Sequence, residues 1–358
     1  MKKLTGMAIL VCVVAVSAHA ADDHQAQRRK PAQESCQAIH ADDTGDHPAL
    51  VPAPDGKERT VSREAVEYLE KLRKGTPFGT VDFNLEGLRA GMGTRNEPHI
   101  DGVRLMRSMI GDIPCEWVLA PGADPDVRLL YLHGGGWVSG SGGNYLPLAA
   151  DISVAAKCAV LLIDYRLAPE HRFPAGLEDC MAAHDWLLDN GPTGPGPATA
   201  TFIAGDSAGG NLTLATLLAL RDRKRRLPAG GIALSAATDF TLVSESLKTV
   251  HDPIISARTM PEFRDRYLEK TDPRNPLASP VFGDYRGIPP LLIQVGEHEM
   301  LRDDSVRVAK KAASDGIPVQ LEVWPGMVHV FQIRGLPESR EAIEHMAEFM
   351  RSHMPQTR

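Results

Sequence analysis

The sequence predicts an α/β protein with a mostly parallel central sheet flanked by helices. Three observations carry that expectation. From about residue 103 onward, short apolar runs alternate with longer helix-like segments. Such alternation is the signature of parallel strands joined by crossover helices that cover both faces of the sheet. The runs are followed by glycine-rich or polar turns, where such a strand hands the chain to its helix. Finally, 358 residues at 43% hydrophobic and 24% charged suffice for one large α/β domain with additions.

The first twenty residues read as a signal peptide. Lys2 and Lys3 precede an apolar stretch from Met7 to Val16, and Ala18-His19-Ala20 forms a small-x-small cleavage site before Ala21. The stretch is too short to span a bilayer stably as a mature helix, and an uncleaved anchor is the alternative. The protein is therefore expected to be exported, periplasmic or secreted. Residues 21–57 are rich in Ala, Asp, Gln, Pro and His and poor in large apolar side chains, so a flexible leader is expected there. Its His40, Asp42, Asp43, Asp46 and His47 read as a solvated polar segment rather than as metal ligands.

Residues 58–105 are expected to form N-terminal helices, additions covering a core that starts later. Val61–Leu72 is amphipathic, with Ser62 placed to cap it and Val66, Leu69 and Leu72 on one face, and Val81–Met92 is a second candidate. Residues 106–358 carry the main domain. Strands are expected at Arg128–Leu132, Ala159–Ile163, Thr201–Ala204, Gly231–Ser235, Leu291–Val295 and Val319–Trp324. Helices are expected at Leu146–Ala156, Ala175–Asp189, Asn211–Arg225, Asp303–Ser314 and Pro337–Ser352. Gly191–Pro197 alternates glycine and proline and reads as a loop.

The formal net charge of −7 argues against a nucleic-acid binder, which would normally show a basic face. Arg221, Arg223, Lys224, Arg225 and Arg226 fall at a helix end, where cations complement the helix dipole. Beyond the signal, Cys36, Cys115, Cys158 and Cys180 remain; export permits disulfides, and their pairing is open. Their spacing does not suggest zinc. The oligomeric state is open too, a homodimer included.

The chemistry lies at strand ends, where ligands bind in a parallel sheet. Gly205-Asp206-Ser207-Ala208-Gly209 joins an apolar run to a helix, so Ser207 sits on a sharp turn with its hydroxyl thrown outward. His133-Gly134-Gly135-Gly136-Trp137 follows the strand Arg128–Leu132. Three consecutive glycines are costly to order and need a reason. Backbone N–H groups of Gly135 and Gly136, joined by that of Ala208, could hold the oxyanion of acyl transfer if no side chain blocks the approach. A serine nucleophile needs a histidine base. In proteins with such an elbow the order is serine, acid, histidine, and only His329, just past the last expected strand, fits well. The acid must follow Leu291–Val295. Glu299 is favoured over Asp303, which is equally explained as a helix-capping residue.

These motifs resemble the hormone-sensitive-lipase-like esterases, the bacterial family IV branch of the α/β-hydrolase fold. The resemblance runs from about residue 100 to the end. It rests on His133–Gly136, on Gly205–Gly210, and on Asp164-Tyr165-Arg166-Leu167-Ala168-Pro169-Glu170, with support from Phe173-Pro174-Ala175 and Leu301-Arg302-Asp303-Asp304. It implies a carboxylic ester hydrolase with a Ser207–Glu299–His329 triad, an acyl-enzyme, a small-molecule ester of short to medium acyl chain as partner, and no cofactor. It also implies a helical cap over the pocket, to which residues 240–270 could contribute. The family usually places an aspartate where Glu299 stands, a departure that bears on the acid and not on the mechanism. A lactone or amide hydrolase on the same triad, or a non-catalytic binder on this fold, are the alternatives.

Overall fold

The computed structural model describes residues 60–355. The expected signal peptide and leader, with Cys36 and the His40–His47 segment, lie outside them.

The chain enters through helix α1 (Arg63–Arg73), whose N-cap Ser62 accepts from the Ala65 N–H at 3.1 Å. Ser62 also donates through its backbone N–H and its hydroxyl to Glu338, at 2.7 and 2.9 Å, which docks the helix on the C-terminal end of the fold. Helix α2 (Leu85–Met92) follows, capped by Asn84.

The sheet begins with a hairpin, β1 (Arg104–Ile110) and β2 (Ile113–Leu119), that the sequence did not announce. β3 (Asp124–Leu132) leads through helix α3 (Leu146–Ala156) to β4 (Cys158–Ile163) and helix α4 (Ala175–Leu187). The glycine–proline stretch expected to be a loop holds a two-stranded ribbon, β5 (Asn190–Gly191) and β6 (Gly194–Pro195), because Gly194 at φ 121° lets the chain fold back on itself. β7 (Ala200–Asp206), helix α5 (Ala208–Asp222) and β8 (Gly230–Leu234) form the centre. Two helices, α6 (Ser246–Thr249) and α7 (Thr259–Leu268), precede β9 (Leu291–Gly296), helix α8 (Arg302–Ser314), β10 (Val319–Trp324) and helix α9 (Pro337–Ser352).

The strands form one eight-stranded sheet in the order β1-β2-β4-β3-β7-β8-β9-β10. Every pairing from β4 to β10 is parallel; β2 joins antiparallel to β1 and β4. β4, β7, β8 and β9 are buried along their whole length, which explains their unbroken apolar runs. The core has two faces. Leu130, Leu132, Leu161, Ile203 and Ile293 pack with α4, α5 and α8, while Leu129, Tyr131, Val160, Phe202 and Ile232 pack with α3 and α9. Successive strand residues thus go to opposite faces, and helices cover both.

Cys115, Cys158 and Cys180 are buried and free, so none of the disulfides that export would permit forms among them. Burial pushes the Cys158 thiol up to about 12 and Cys115 to about 11. The basic cluster is structural where it touches the fold: Arg221 donates to the carbonyls of Asp284 and Arg286, and Arg225 pairs with Asp185. Among the described residues, no helix is long and apolar enough to cross a membrane.

Candidate active site

Ser207 is the single residue between β7 and α5, with φ 53° and ψ −115°. A non-glycine residue in that region is strained by about 1–3 kcal/mol and must be held there. Its N–H donates to Leu234 O at 2.8 Å, and its carbonyl accepts from the N–H groups of Asn211 (3.0 Å) and Ala237 (3.3 Å). The glycines flanking the turn are obligatory. A Cβ on Gly209 would stand 1.9 Å from Leu132 O, and one on Gly205 would stand 2.4 Å from Gly209 O.

His329 arrives from the loop after β10, just before Val330, which has φ 50°. Its Nε2 lies 3.1 Å from Ser207 Oγ and its Nδ1 lies 2.8 Å from Glu299 Oε2. An ionised carboxylate can only accept, so Nδ1 carries the proton and Nε2 presents its lone pair to the serine. Glu299 comes from the loop after β9 and is fully buried. Its other oxygen, Oε1, accepts from the Gly296 N–H at 2.5 Å and from Ser235 Oγ at 2.8 Å. Ser235 Oγ accepts in turn from the Val330 N–H at 3.1 Å, so one hydroxyl ties the acid loop to the histidine loop. Burial alone would lower the His329 pKa. The hydrogen bond and charge of Glu299, aided by Asp252 and Asp206, outweigh it and raise the value above that of an ordinary histidine.

Asp303, the other candidate acid, faces away. It is the second residue of α8; its Oδ2 accepts from the Ser246 N–H at 2.8 Å and its Oδ1 from Arg302 at 3.0 Å. Asp304 is buried against the Thr238 and Asp239 N–H groups. Both hold the segment 238–246 to α8.

The glycine loop is built so that its amide directions are fixed. A peptide's C=O and the next residue's N–H point opposite ways in one plane. The Gly134 carbonyl accepts from His133 Nδ1 at 2.7 Å, and the Gly135 carbonyl accepts from Ser139 N–H (3.1 Å) and Ser139 Oγ (2.8 Å). Turning those carbonyls inward turns the N–H groups of Gly135 and Gly136 outward. Neither of these amides, nor that of Ala208, donates to an acceptor among the described residues. Gly135 has φ 119° and Gly136 φ 63°. A Cβ on Gly136 would enter the ring of Phe263, at 2.4 Å, and one on Gly135 would meet Ser139 O at 2.2 Å. Behind the loop, Asp206 accepts from Tyr131 (2.9 Å), Tyr145 (2.9 Å) and the Gly134 N–H (3.1 Å). Burial pushes its carboxyl up to about 6 despite those bonds.

Residues 129–333 match the family model described as the alpha/beta hydrolase fold. An acetyl-hydrolase of Streptomyces hygroscopicus is 41% identical over 247 residues, 68% of this chain and 81% of its own. The chain belongs to the hormone-sensitive-lipase-like esterases of the α/β-hydrolase fold. An esterase of Acinetobacter venetianus is 34% identical over 229 residues, covering 63% of this esterase and 74% of its own length. Among solved structures, an esterase from the bacterial hormone-sensitive lipase family aligns with a TM-score of 0.73 at 38% identity, over 83% of this chain and all of its own. The crystal structure of EstE5 soaked with p-nitrophenyl butyrate aligns with a TM-score of 0.76 at 39% identity, over 82% of this chain and 99% of its own.

Several residues that shape the esterase's site carry no signal in the sequence. Ser235 directly follows β8 with φ 48° and belongs to no motif. Phe263, on α7, seals the glycine loop, and Phe83 meets it edge to face with centroids 5.3 Å apart. Asp206 lies inside the quoted pentapeptide, yet its role as a buried hub depends on Tyr131 and Tyr145, 75 and 61 residues away. Among the described residues, no three His, Cys, Asp or Glu side chains converge as metal ligands.

Proposed function

We propose that this carboxylesterase uses Ser207 as nucleophile, His329 as base and Glu299 as the acid that orients it, on small-molecule esters of short to medium acyl chain. The observation that carries the reading is the unbroken chain from Ser207 Oγ to His329 to Glu299 beside three amides that meet no acceptor among the described residues. In the mechanism, Nε2 of His329 takes the Ser207 proton as Oγ attacks the ester carbonyl. Negative charge gathers on the carbonyl oxygen and is met by the N–H groups of Gly135, Gly136 and Ala208. The imidazolium formed is stabilised by Glu299 and gives its proton to the leaving alcohol. Water, deprotonated by His329, then releases the acid from the acyl-enzyme.

The helices of residues 58–105, with residues 240–270, are proposed to form the cap. Support comes from the bridge between Phe78 and Ile255 and from the edge-to-face contact of Phe83 with Phe263 beside Gly136. The aromatic wall so close to the oxyanion loop favours short acyl chains. A p-nitrophenyl ester series from acetate to palmitate tests this, with kcat/KM expected to peak at or below the medium chain lengths and to collapse for palmitate. Maximal turnover of palmitate would refute the chain-length assignment.

Export is proposed on the sequence of residues 1–20 alone. N-terminal sequencing of the protein recovered from the periplasm or medium is expected to begin at Ala21; protein confined to the cytoplasm and starting at Met1 would exclude it.

A further inference from the structure

The N-terminal helix α2 reaches the glycine loop through one side chain. Arg89 donates from Nε to Val138 O at 2.7 Å, and from Nη2 to Ala168 O at 2.9 Å. Its two terminal nitrogens also grip both oxygens of Glu170, at 2.7 and 2.6 Å. All four bonds fall on two short stretches. Val138 and Trp137 directly follow Gly136, and Ala168 and Glu170 belong to the turn beside them. The two stretches are joined by the Ala168 N–H, which donates to Trp137 O at 2.9 Å. The connection continues inward, for the Val138 N–H donates to the Gly135 carbonyl at 3.3 Å and the Ser139 N–H donates to the same oxygen. That carbonyl shares its peptide plane with the Gly136 N–H. Met92, at the end of the same helix, adds a second touch: its Sδ lies 3.5 Å from the Ser139 hydroxyl.

The chemistry suits the task. A guanidinium is a rigid planar fork with five N–H groups, enough to grip both oxygens of a carboxylate and two carbonyls at once, whereas an ammonium has three donors for these four bonds. The segment carrying Arg89 has independent anchors in Ser62–Glu338 and Phe78–Ile255, so removing the guanidinium does not by itself undock the segment.

We propose that Arg89 is a positioning residue, which latches α2 onto the loop after Gly136 and thereby aims the oxyanion donors, so that turnover depends on α2 being seated. This rests on the reading of Gly135 and Gly136 as those donors.

The test compares Arg89→Ala, Arg89→Lys and Ser207→Ala with the wild type. The readouts are p-nitrophenyl butyrate kinetics and inhibition by an alkyl trifluoromethyl ketone, whose tetrahedral adduct places an oxyanion in the same hole. Losing a whole oxyanion donor costs roughly 10²–10³ in rate, and misaiming one costs part of that. Arg89→Ala is expected to lower kcat about 10- to 50-fold with KM within about threefold, and to weaken the inhibitor by the factor lost in kcat/KM. Arg89→Lys, which keeps the charge without the fork, is expected to fall between. An Arg89→Ala enzyme with wild-type kcat, or one with lowered kcat but undiminished inhibitor affinity, overturns the latch. If Arg89→Ala does not fold, Arg89→Lys and Glu170→Gln decide: lowered kcat with weakened inhibition in both supports the latch, and wild-type kcat in either overturns it. Ser207→Ala separates the two claims. Ser207→Ala turnover above about a hundredth of the wild-type kcat removes the site reading itself. An inert Ser207→Ala beside a fully active Arg89→Ala removes only the latch.

Discussion

Ser207→Ala is expected to lower kcat on p-nitrophenyl butyrate by about 10⁴- to 10⁶-fold, with the fold intact. The methyl group fits where the hydroxymethyl stood, and the backbone bonds that hold the elbow, from Ser207 N–H to Leu234 O and from Asn211 and Ala237 to the Ser207 carbonyl, do not involve the side chain. What disappears is the oxygen 3.1 Å from His329 Nε2. The residual rate would come from ester binding beside the free amides, with His329 working on water. Steady-state kinetics check this, together with peptide mapping after treatment with a fluorophosphonate, which should label Ser207 in the wild type alone. Retention of more than about a hundredth of the wild-type kcat would sink the nucleophile assignment.

Glu299→Gln is expected to cost about 10²- to 10⁴-fold in kcat, and Asp303→Asn less than about threefold. The reason is tautomeric as much as electrostatic. Glu299 accepts on both oxygens, from His329 Nδ1 on one and from Gly296 N–H and Ser235 on the other. An amide must place its NH₂ on one side or the other. Towards His329 it would force the imidazole proton onto Nε2, away from its task as base. Towards Gly296 it would set two donors face to face in a fully buried place. The pH profile separates orientation from charge. His329 must be neutral to take the serine proton, and its pKa is raised in the wild type. Activity therefore falls as pH drops through that raised value. Without the carboxylate the pKa falls, so the acid limb of the residual Glu299→Gln activity moves to lower pH. An unmoved limb, or a large loss in Asp303→Asn, would reassign the acid.

The central elements were legible in the sequence because each is buried on both faces and therefore reads as continuous apolar residues ending in glycine. β7 with its serine elbow and β9 are of this kind. The hairpin β1–β2 escaped because β1 is an edge strand in which only Ile110 is buried, and Arg104 and Arg107 interrupt any apolar run. Helix α7 is short and strongly polar apart from its buried Met260, Phe263, Tyr267 and Leu268, so its pattern was too weak to place. The choice between Glu299 and Asp303 was open in one dimension. It depends on the start of α8, which commits Asp303 to Ser246 and leaves Glu299 in the preceding loop. Arg89 and Glu170 lie 81 residues apart, and no local pattern links two such side chains before the fold brings them together.

Eight non-glycine residues among those described have positive φ, and four of them, Trp137, Ser207, Ser235 and Val330, surround the reacting groups. Each stores conformational free energy of about 1–3 kcal/mol that the rest of the fold must supply. Thermal robustness and turnover therefore compete at these four positions. A glycine at one of them would relieve the local torsion and loosen the geometry in the same step. Directed evolution for heat tolerance has its free ground elsewhere, in the sheet's outer hairpin and the solvent-facing helices, where stability can rise without slackening the serine elbow.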